Sequence, residues 1–414
     1  MKVLAKVRRF FIIHKKMSFF NSKVVSVYCI LSPLLAFLIV SEANAAGFRF
    51  LSGPNLQLVS KQSVHVTWAV NGSATSWVEY GLERDPDQIA RWSEHGLFDA
   101  NRPVQKAVID ELKPGTDYFY RTVSVEIKEY GPYQIEYGDT LYSDTYRFST
   151  PPEEKEAFSF LAFNDVHNRP EFIGDVFARE ENVDFAAYLG DIMGHIDGRQ
   201  DIIDYILEPS SRHFAAEVPF FYVRGNHEAR GAGARKLIDY IATPDGSFYY
   251  TFQYGSVFFI VLDTGEDKPD TNQYYFGLAD FDAYRAKQGE WLEKVVEREA
   301  FQQAESRVVL SHWPILLRDV VARDDTHRHG RENTQQHFAG PLHNNGVDLQ
   351  LAGHTHSHEV ILPEEGVSRI HTVVGGGHTG QPGATYTRVN YREGSLHVLL
   401  KSTDGELIEE IRIH

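Results

Sequence analysis

The sequence predicts an all-β sandwich followed by an α/β domain of layered sheets covered by helices. Three observations carry this prediction. Residues 47–150 read as short alternating stretches separated by turn signals. After residue 153 apolar runs alternate with helical patterns. Five of those later runs stop abruptly at a residue able to bind a metal ion.

In the first region, Ser63-Val-His-Val-Thr-Trp-Ala-Val70 alternates with period two, and Asn71-Gly72 supplies the favoured two-residue hairpin turn. Asn71-Gly72-Ser73 is also a glycosylation sequon, although the turn accounts for it. Further strands are expected at 76–80, 104–109, 117–123 and 146–148. The proline-started, charged stretch 150–156 reads as a linker. The expected division is therefore a sandwich over 46–152 and an α/β domain over 153–414.

Within the second region, Trp291, Leu292, Val295 and Val296 have the spacing of a helix face that packs into a core. The segment 385–413 returns to alternating strands around turns at Arg392-Glu-Gly394 and Asp404-Gly405, so part of the sheet is expected to be antiparallel.

Charge and leader bound the function. The chain has 57 acidic and 41 basic residues, a net charge of −16, which repels phosphate backbones and excludes a nucleic-acid-coating protein. Seven of the basic residues and only Glu42 of the acidic ones fall in 1–45. There a basic stretch precedes the apolar run 24–40 and the small-residue site Ala43-Asn44-Ala45, the pattern of a signal peptide cleaved after Ala45. Translation from Met17 would give a leader of 29 residues. The competing reading is an uncleaved anchor; Ser32-Pro33 interrupts the run and favours cleavage. An exported protein, periplasmic or extracellular, without a stable membrane anchor is the expectation. The single cysteine, Cys29, lies in the leader, so a metal site in the mature chain must use His, Asn and carboxylates.

The five runs end at Asp165-Val-His167, Gly190-Asp191, Gly225-Asn226-His227-Glu228, His312 and Gly353-His354-Thr355-His356. If they are neighbouring strands of one sheet pointing the same way, their ends converge on one edge. Two aspartates, an asparagine and four histidines can fill two adjacent cation sites when one carboxylate bridges. A donor set without sulfur suits Zn, Mn or Fe. Such a pair of cations attracts a phosphoryl group and a bridging hydroxide, and so suits in-line phosphoester hydrolysis.

In this order the motifs resemble the full signature of the calcineurin-like metallophosphoesterases, from Phe158 to the C-terminus. The resemblance implies a double β-sheet sandwich with outer helices and a centre of two divalent or trivalent metal ions. It implies Asp165, His167 and His356 on one metal, Asn226, His312 and His354 on the other, and Asp191 bridging. Asn226 and His227 would contact the substrate phosphate, and His227 would be the catalytic acid that protonates the leaving group. Gly53-Pro-Asn-Leu-Gln57, Val66-Thr-Trp68, Leu112-Lys-Pro-Gly-Thr-Asp-Tyr118 and Phe148-Ser-Thr-Pro-Pro152 resemble the fibronectin type III-like N-terminal domain of purple acid phosphatases. Two departures stand out: those enzymes have glycine where His167 stands and tyrosine where Gly194 stands. A ligand lost at Gly194 is regained at His167, which predicts a working site without tyrosinate–iron(III) colour.

The expected activity is that of a phosphomonoesterase on a small phosphorylated substrate. A phosphodiesterase on the same site and a noncatalytic adhesion protein are the alternatives. Glu228 would either orient His227 or cap the next helix. Asp324-Asp325-Thr-His-Arg328-His-Gly-Arg331 reads as a polar loop at the substrate rim, from which Arg328 or Arg331 would reach the phosphate. The histidines 195, 327, 329, 337, 343, 358 and 378 are expected to be structural or solvent-facing. Gly375-Gly-Gly377 either approaches the site closely or turns the chain.

Overall fold

The computed structural model describes residues 47–153, 156–315, 325–364, 368–377 and 383–414. The expected leader with Cys29, and His378, lie outside them.

Residues from Phe158 onward build two facing sheets. In the first, Ala157–Phe163, Phe185–Tyr188 and Phe220–Tyr222 run parallel, and Thr385–Arg392, Ser395–Ser402 and Leu407–Ile413 continue the sheet as an antiparallel meander. Glu393 and Gly394, at φ 47° and 79°, make the expected turn. In the second, Val257–Leu262, Ser306–Ser311, Leu349–Ala352 and His371–Val374 are parallel, with antiparallel edges at Tyr250–Tyr254 and Glu359–Ile361. The five ligand-ending runs therefore divide between two sheets, three in one and two in the other, instead of sharing one sheet. Runs apolar on both faces mark strands buried from both sides, and they carry no signal of which sheet they join.

Period two assigns the faces. Phe158, Phe160, Phe185 and Phe221 point between the sheets, where they meet Phe252, Tyr254 and Phe259. Phe160 and Phe185 stack with ring centroids 4.7 Å apart, and Phe252 and Phe259 at 4.5 Å. Leu161, Phe163, Ala186, Tyr188, Phe220 and Tyr222 point outward into a second core. That core is closed by the helix Glu171–Arg179, through Ile173 and Val176, and by the helical stretch 199–215. On the other outer face Phe258, Ile260, Leu262 and Val309 pack against Leu292, Val295 and Val296 of Phe281–Val296 and against Phe338 and Leu342 of Asp325–Asn344. The order of layers is thus helix, sheet, sheet, helix, the double β-sheet sandwich that the motifs implied.

Of the polar loop expected at 324–331, Asp324 lies outside the described residues, and residues 325–331 lie instead in the helix Asp325–Asn344. Its apolar stripe is only Phe338 and Leu342, four residues apart, in an otherwise polar sequence, so the helical period is nearly invisible before the packing partners are known.

The N-terminal strands form the expected sandwich, with one change. Val64–Gly81 is a single strand of 18 residues that runs through Asn71-Gly72, and no hairpin forms there. Residues 65–70 pair with Phe50–Gln57, whereas 74–81 pair with Asp117–Tyr130. Against Ala100–Ile109 the register jumps from Ala69–Val104 to Ala74–Arg102, so residues 70–73 bulge opposite Pro103, which has no N–H to offer the ladder. Asn71-Gly72 therefore marks the bulged corner at which the strand exchanges its partner Phe50–Gln57 for Asp117–Tyr130.

This sandwich is bonded to the layers that follow it. Gln57 pairs in parallel with Phe220, and the Tyr120 hydroxyl donates to the Ala216 carbonyl at 2.7 Å. Ala69 and Val104 belong to the same core as Phe163 and Tyr188. Among the described residues no helix is long and apolar enough to cross a membrane.

Phe185 is fully buried between the sheets and touches rings from both. Replacing it with alanine is expected to cost about 3–5 kcal/mol through lost burial and a residual cavity. Denaturant titration would show this as a lowered midpoint with an unchanged slope.

Candidate metal centre

Parallel pairing continues past the strand ends and carries the ligands together. Beyond Phe163 and Tyr188 the two chains stay bonded: Asp165 N–H donates to Gly190 O (3.1 Å), His167 N–H to Asp191 O (3.0 Å) and Asn168 N–H to Ile192 O (3.0 Å). The second sheet adds Gly353 N–H to His312 O at 2.9 Å. Each chain must turn sharply to do this. Asp165, His167, Asp191, His354 and His356 all have positive φ, between 47° and 71°. That conformation costs an L residue about 1–2 kcal/mol and is least unfavourable for Asp, Asn and His. Gly190 is needed for a further reason: at φ 86°, a Cβ there would lie 2.6 Å from Gly225 Cα and 2.8 Å from His312 Nδ1.

The seven expected ligands come together in two groups. In the first, His356 Nε2 is 3.2 Å and His167 Nε2 3.7 Å from Asp165 Oδ1, and the two imidazole nitrogens are 3.3 Å apart. In the second, Asn226 Oδ1 is 3.1 Å from His312 Nε2 and 3.0 Å from His354 Nδ1. Asp191 stands between them, its Oδ2 3.2 Å from His312 Nε2 and 3.8 Å from both His167 Nε2 and His227 Nε2. Donor atoms of Asp165, His167 and His356, of His167, Asp191 and His227, and of Asp191, His312 and His354 are close enough to share an ion.

Electrostatics favours cations here. Burial alone would push both aspartates up, but the surrounding imidazoles hold Asp165 and Asp191 well below the usual carboxylate range. Burial opposes a proton on His312, yet the Asp191 carboxylate draws its pKa up to about 10. Burial and the neighbouring His312 push His354 down to about 3. Two buried carboxylates thus demand compensating positive charge. Among the described residues no donor meets the buried Asp165 Oδ1 in hydrogen-bond geometry, which leaves that acceptor facing His167 and His356. The residues fit metal ions.

The supporting contacts aim the ligands. His312 Nδ1 bonds the Leu189 carbonyl at 2.8 Å, which turns Nε2 to the centre. Asp165 Oδ2 accepts from Asn164 Nδ2 (2.7 Å) and from the His354 N–H (2.8 Å). The His354 ring stacks on Trp313, with centroids 4.0 Å apart. The Gly375 run does approach the site: a Cβ at Gly375 would lie 2.7 Å from Asn164 Cγ.

His227 lies beside the expected ligands, its Nε2 3.8 Å from Asp191 Oδ2. Its Nδ1 bonds Gly194 O at 2.7 Å and its N–H donates to Asp191 Oδ1 at 2.9 Å. Burial lowers its pKa, against the pull of Asp191. Arg230 Nη1 is 3.0 Å from Nε2, and Arg230 is itself held by two bonds to Glu266, at 2.6 and 2.8 Å. Gly194 thus serves through its carbonyl and offers no side chain, while His167 enters the centre.

Three supports escaped the sequence reading. Glu228 neither caps a helix nor orients His227 directly: fully buried, it accepts from the N–H groups of Asp191 (2.9 Å), Ile192 (2.7 Å), Met193 (3.0 Å) and Gly225 (2.9 Å). Asn164 and the Arg230–Glu266 pair are the others; Asn164 and Arg230 adjoin recognised motifs, which is the signal that could have found them, whereas Glu266 lies outside every motif. Arg331 lies on the helix Asp325–Asn344. Of the other histidines, His329 pairs with Asp282 (2.8 Å) and His195 with Asp197 (3.3 Å).

Replacing Glu228 with alanine strands four peptide donors and frees both loops. Competition with a chelator is expected to show metal affinity lowered about 10–100-fold. Circular dichroism should still report a folded chain.

Residues 158–358 match the family model of the calcineurin-like phosphoesterases. The serine/threonine-protein phosphatase CPPED1 of Pongo abelii is 23% identical over 139 residues, 34% of this chain and 42% of that protein. The human form is 22% identical over 139 residues, with the same coverage. The chain thus spans well under half the length of the curated relatives it matches. Among solved structures, the purple acid phosphatase PPD1 from yellow lupin seeds superposes with a TM-score of 0.62 at 16% identity, covering 87% of this chain and 73% of that one. PhoD superposes with a TM-score of 0.59 at 12% identity, covering 88% and 89%. These two likenesses are likenesses of fold. Five ordered motifs folded onto one edge and a family match spanning all of them lead to one conclusion: this chain carries a calcineurin-like phosphoesterase domain.

Proposed function

We propose that the protein is an exported, metal-dependent phosphoric ester hydrolase that acts on small phosphomonoesters. The observation that carries this reading is the position of Asp191 Oδ2, between the Asp165–His167–His356 group and the Asn226–His312–His354 group. A carboxylate so placed suits two cations that share it. Bound there, two metal ions (Fe, Mn or Zn) would supply the Lewis acidity that phosphoester hydrolysis requires.

The chain's own groups account for the rest. Asn226 and His227, consecutive on one loop, present an amide and an imidazole to the phosphoryl oxygens. The Gly194 carbonyl accepts from His227 Nδ1 and fixes the ring, so Nε2, which accepts from Arg230 Nη1, is the atom that would carry a second proton to the leaving oxygen. Arg230 brings a guanidinium to the same place, fixed by Glu266 so that it cannot fold back on Asp191. The proposed export rests on the leader and on the absence of cysteine after residue 45. N-terminal sequencing of the secreted protein is expected to begin at Ala46; retention of residues 24–40 would reverse that assignment.

The decisive assay compares p-nitrophenyl phosphate with its bis-p-nitrophenyl diester, with Mn, Zn or Fe added. The monoester is expected to be preferred, and Asp191→Ala to be inactive. A preference for the diester would identify a phosphodiesterase instead, and no metal-dependent turnover of either would return the chain to a noncatalytic role. His227→Ala is expected to lower kcat by about 10²–10⁴ on alkyl phosphates. Its effect on p-nitrophenyl phosphate should be far smaller, because that leaving group departs without a proton.

A further inference from the structure

Arg230 belongs both to the edge of the metal centre and to the wall of a cleft of about 600 Å³. Arg235, Tyr274, Phe276, Leu278 and Phe281 line the same cleft. Tyr274, Phe276 and Leu278 are 68%, 86% and 73% exposed, an apolar cluster on one short loop that supports no core. The loop is nonetheless held in place. The Asn272 side chain accepts from Tyr274 N–H at 3.0 Å, and Phe276 takes a left-handed turn at φ 51°. Between the two exposed rings, the Tyr275 hydroxyl turns inward and donates to Glu266 Oε2 at 3.1 Å. Glu266 also clamps Arg230. One buried carboxylate therefore fixes the aromatic loop relative to the residue beside His227.

We propose that this cleft receives the organic part of the substrate and selects a planar aromatic group, from an aryl alcohol to a nucleoside in size. The proposal rests on the phosphoesterase reading of the adjoining centre. A phosphoryl group held at Asn226 and His227 directs its ester substituent past Arg230 toward Tyr274 and Phe276. Ring faces and a guanidinium are the surfaces on which a planar aromatic group stacks. A cleft of this volume is in the range that encloses a small organic ligand, and far exceeds what the phosphoryl group itself occupies.

The test uses nonhydrolysable probes, so that binding is read apart from turnover. Metal-loaded full-length protein is titrated calorimetrically with phenylphosphonate and with methylphosphonate. Wild type is expected to bind the phenyl compound about tenfold more tightly, the equivalent of about 1.4 kcal/mol. The double variant Tyr274→Ala, Phe276→Ala is expected to lose that preference and to bind methylphosphonate as wild type does. Both side chains are exposed, so the fold is not at stake. Equal affinities in wild type, or a preference that survives the substitutions, would overturn the proposal. Should the preference appear and vanish as expected while no phosphate ester is turned over, the cleft assignment stands and the phosphoesterase reading falls.

Discussion

A single carboxylate, Glu228, determines where the centre can form. Its two oxygens gather four peptide N–H groups from loops that follow different strands, 190–193 and 225. Burial raises its pKa, with the nearby Asp191 charge adding to the rise, while these donors oppose it. Each side satisfies the other, and the result is a fixed distance between the Asp191 backbone and the Asn226-His227 turn. Asp191, Asn226 and His227 are therefore held as one piece.

Backbone strain is concentrated at the same place. Five of the seven ligands adopt left-handed φ, so the chain turns out of its strand within a residue or two. Such turns persist only where the surroundings over-determine them. The aromatic layer provides that rigidity, because Phe160, Phe185 and Phe259 lock the two sheets face to face below the turns. With the sheets fixed, His312 and His354 from one and Asp165, Asp191 and Asn226 from the other meet without further adjustment. Positive charge then offsets the remaining cost: the Asp191 carboxylate holds a proton on His312, and cations bound between the two groups would supply the rest.

Much of this was legible before folding because each ligand sits at the end of an apolar run, where a hydrophobic pattern gives way to Asp, Asn or His. The residues between the motifs were not. Asn71-Gly72 has the composition of a hairpin turn, and only the neighbour Pro103, distant in sequence, makes it a corner within one strand. The helix Asp325–Asn344 has too few apolar residues to show its period. Glu228 looked like a helix cap because a carboxylate after a turn usually is one; three of its four partners are 35 to 37 residues away, and only Gly225 is local. Burial of a charge is decided by such distant donors, and local sequence does not contain them. Sheet membership of the five runs failed for the same reason: strands buried on both faces read alike in either sheet.

The charge of the whole molecule and that of the site point in opposite directions, and the arrangement of acids resolves the difference. The chain carries −16, yet the cleft beside the centre is walled by Arg224, Arg230, Arg235 and Lys268. Three of these are clamped by acids that are themselves buried: Arg224 by Asp263 at 2.6 Å, Arg230 by Glu266 and Lys268 by Asp267 at 2.8 Å. Pairing cancels most of their long-range field but leaves the N–H groups aimed. Such groups act over hydrogen-bond distances and gain little from a ligand's distant charges. A long polyanion would meet the acidic exterior before it met them. A small phosphorylated molecule has to satisfy only the local donors, which is why an acidic protein can hold a centre built for phosphate.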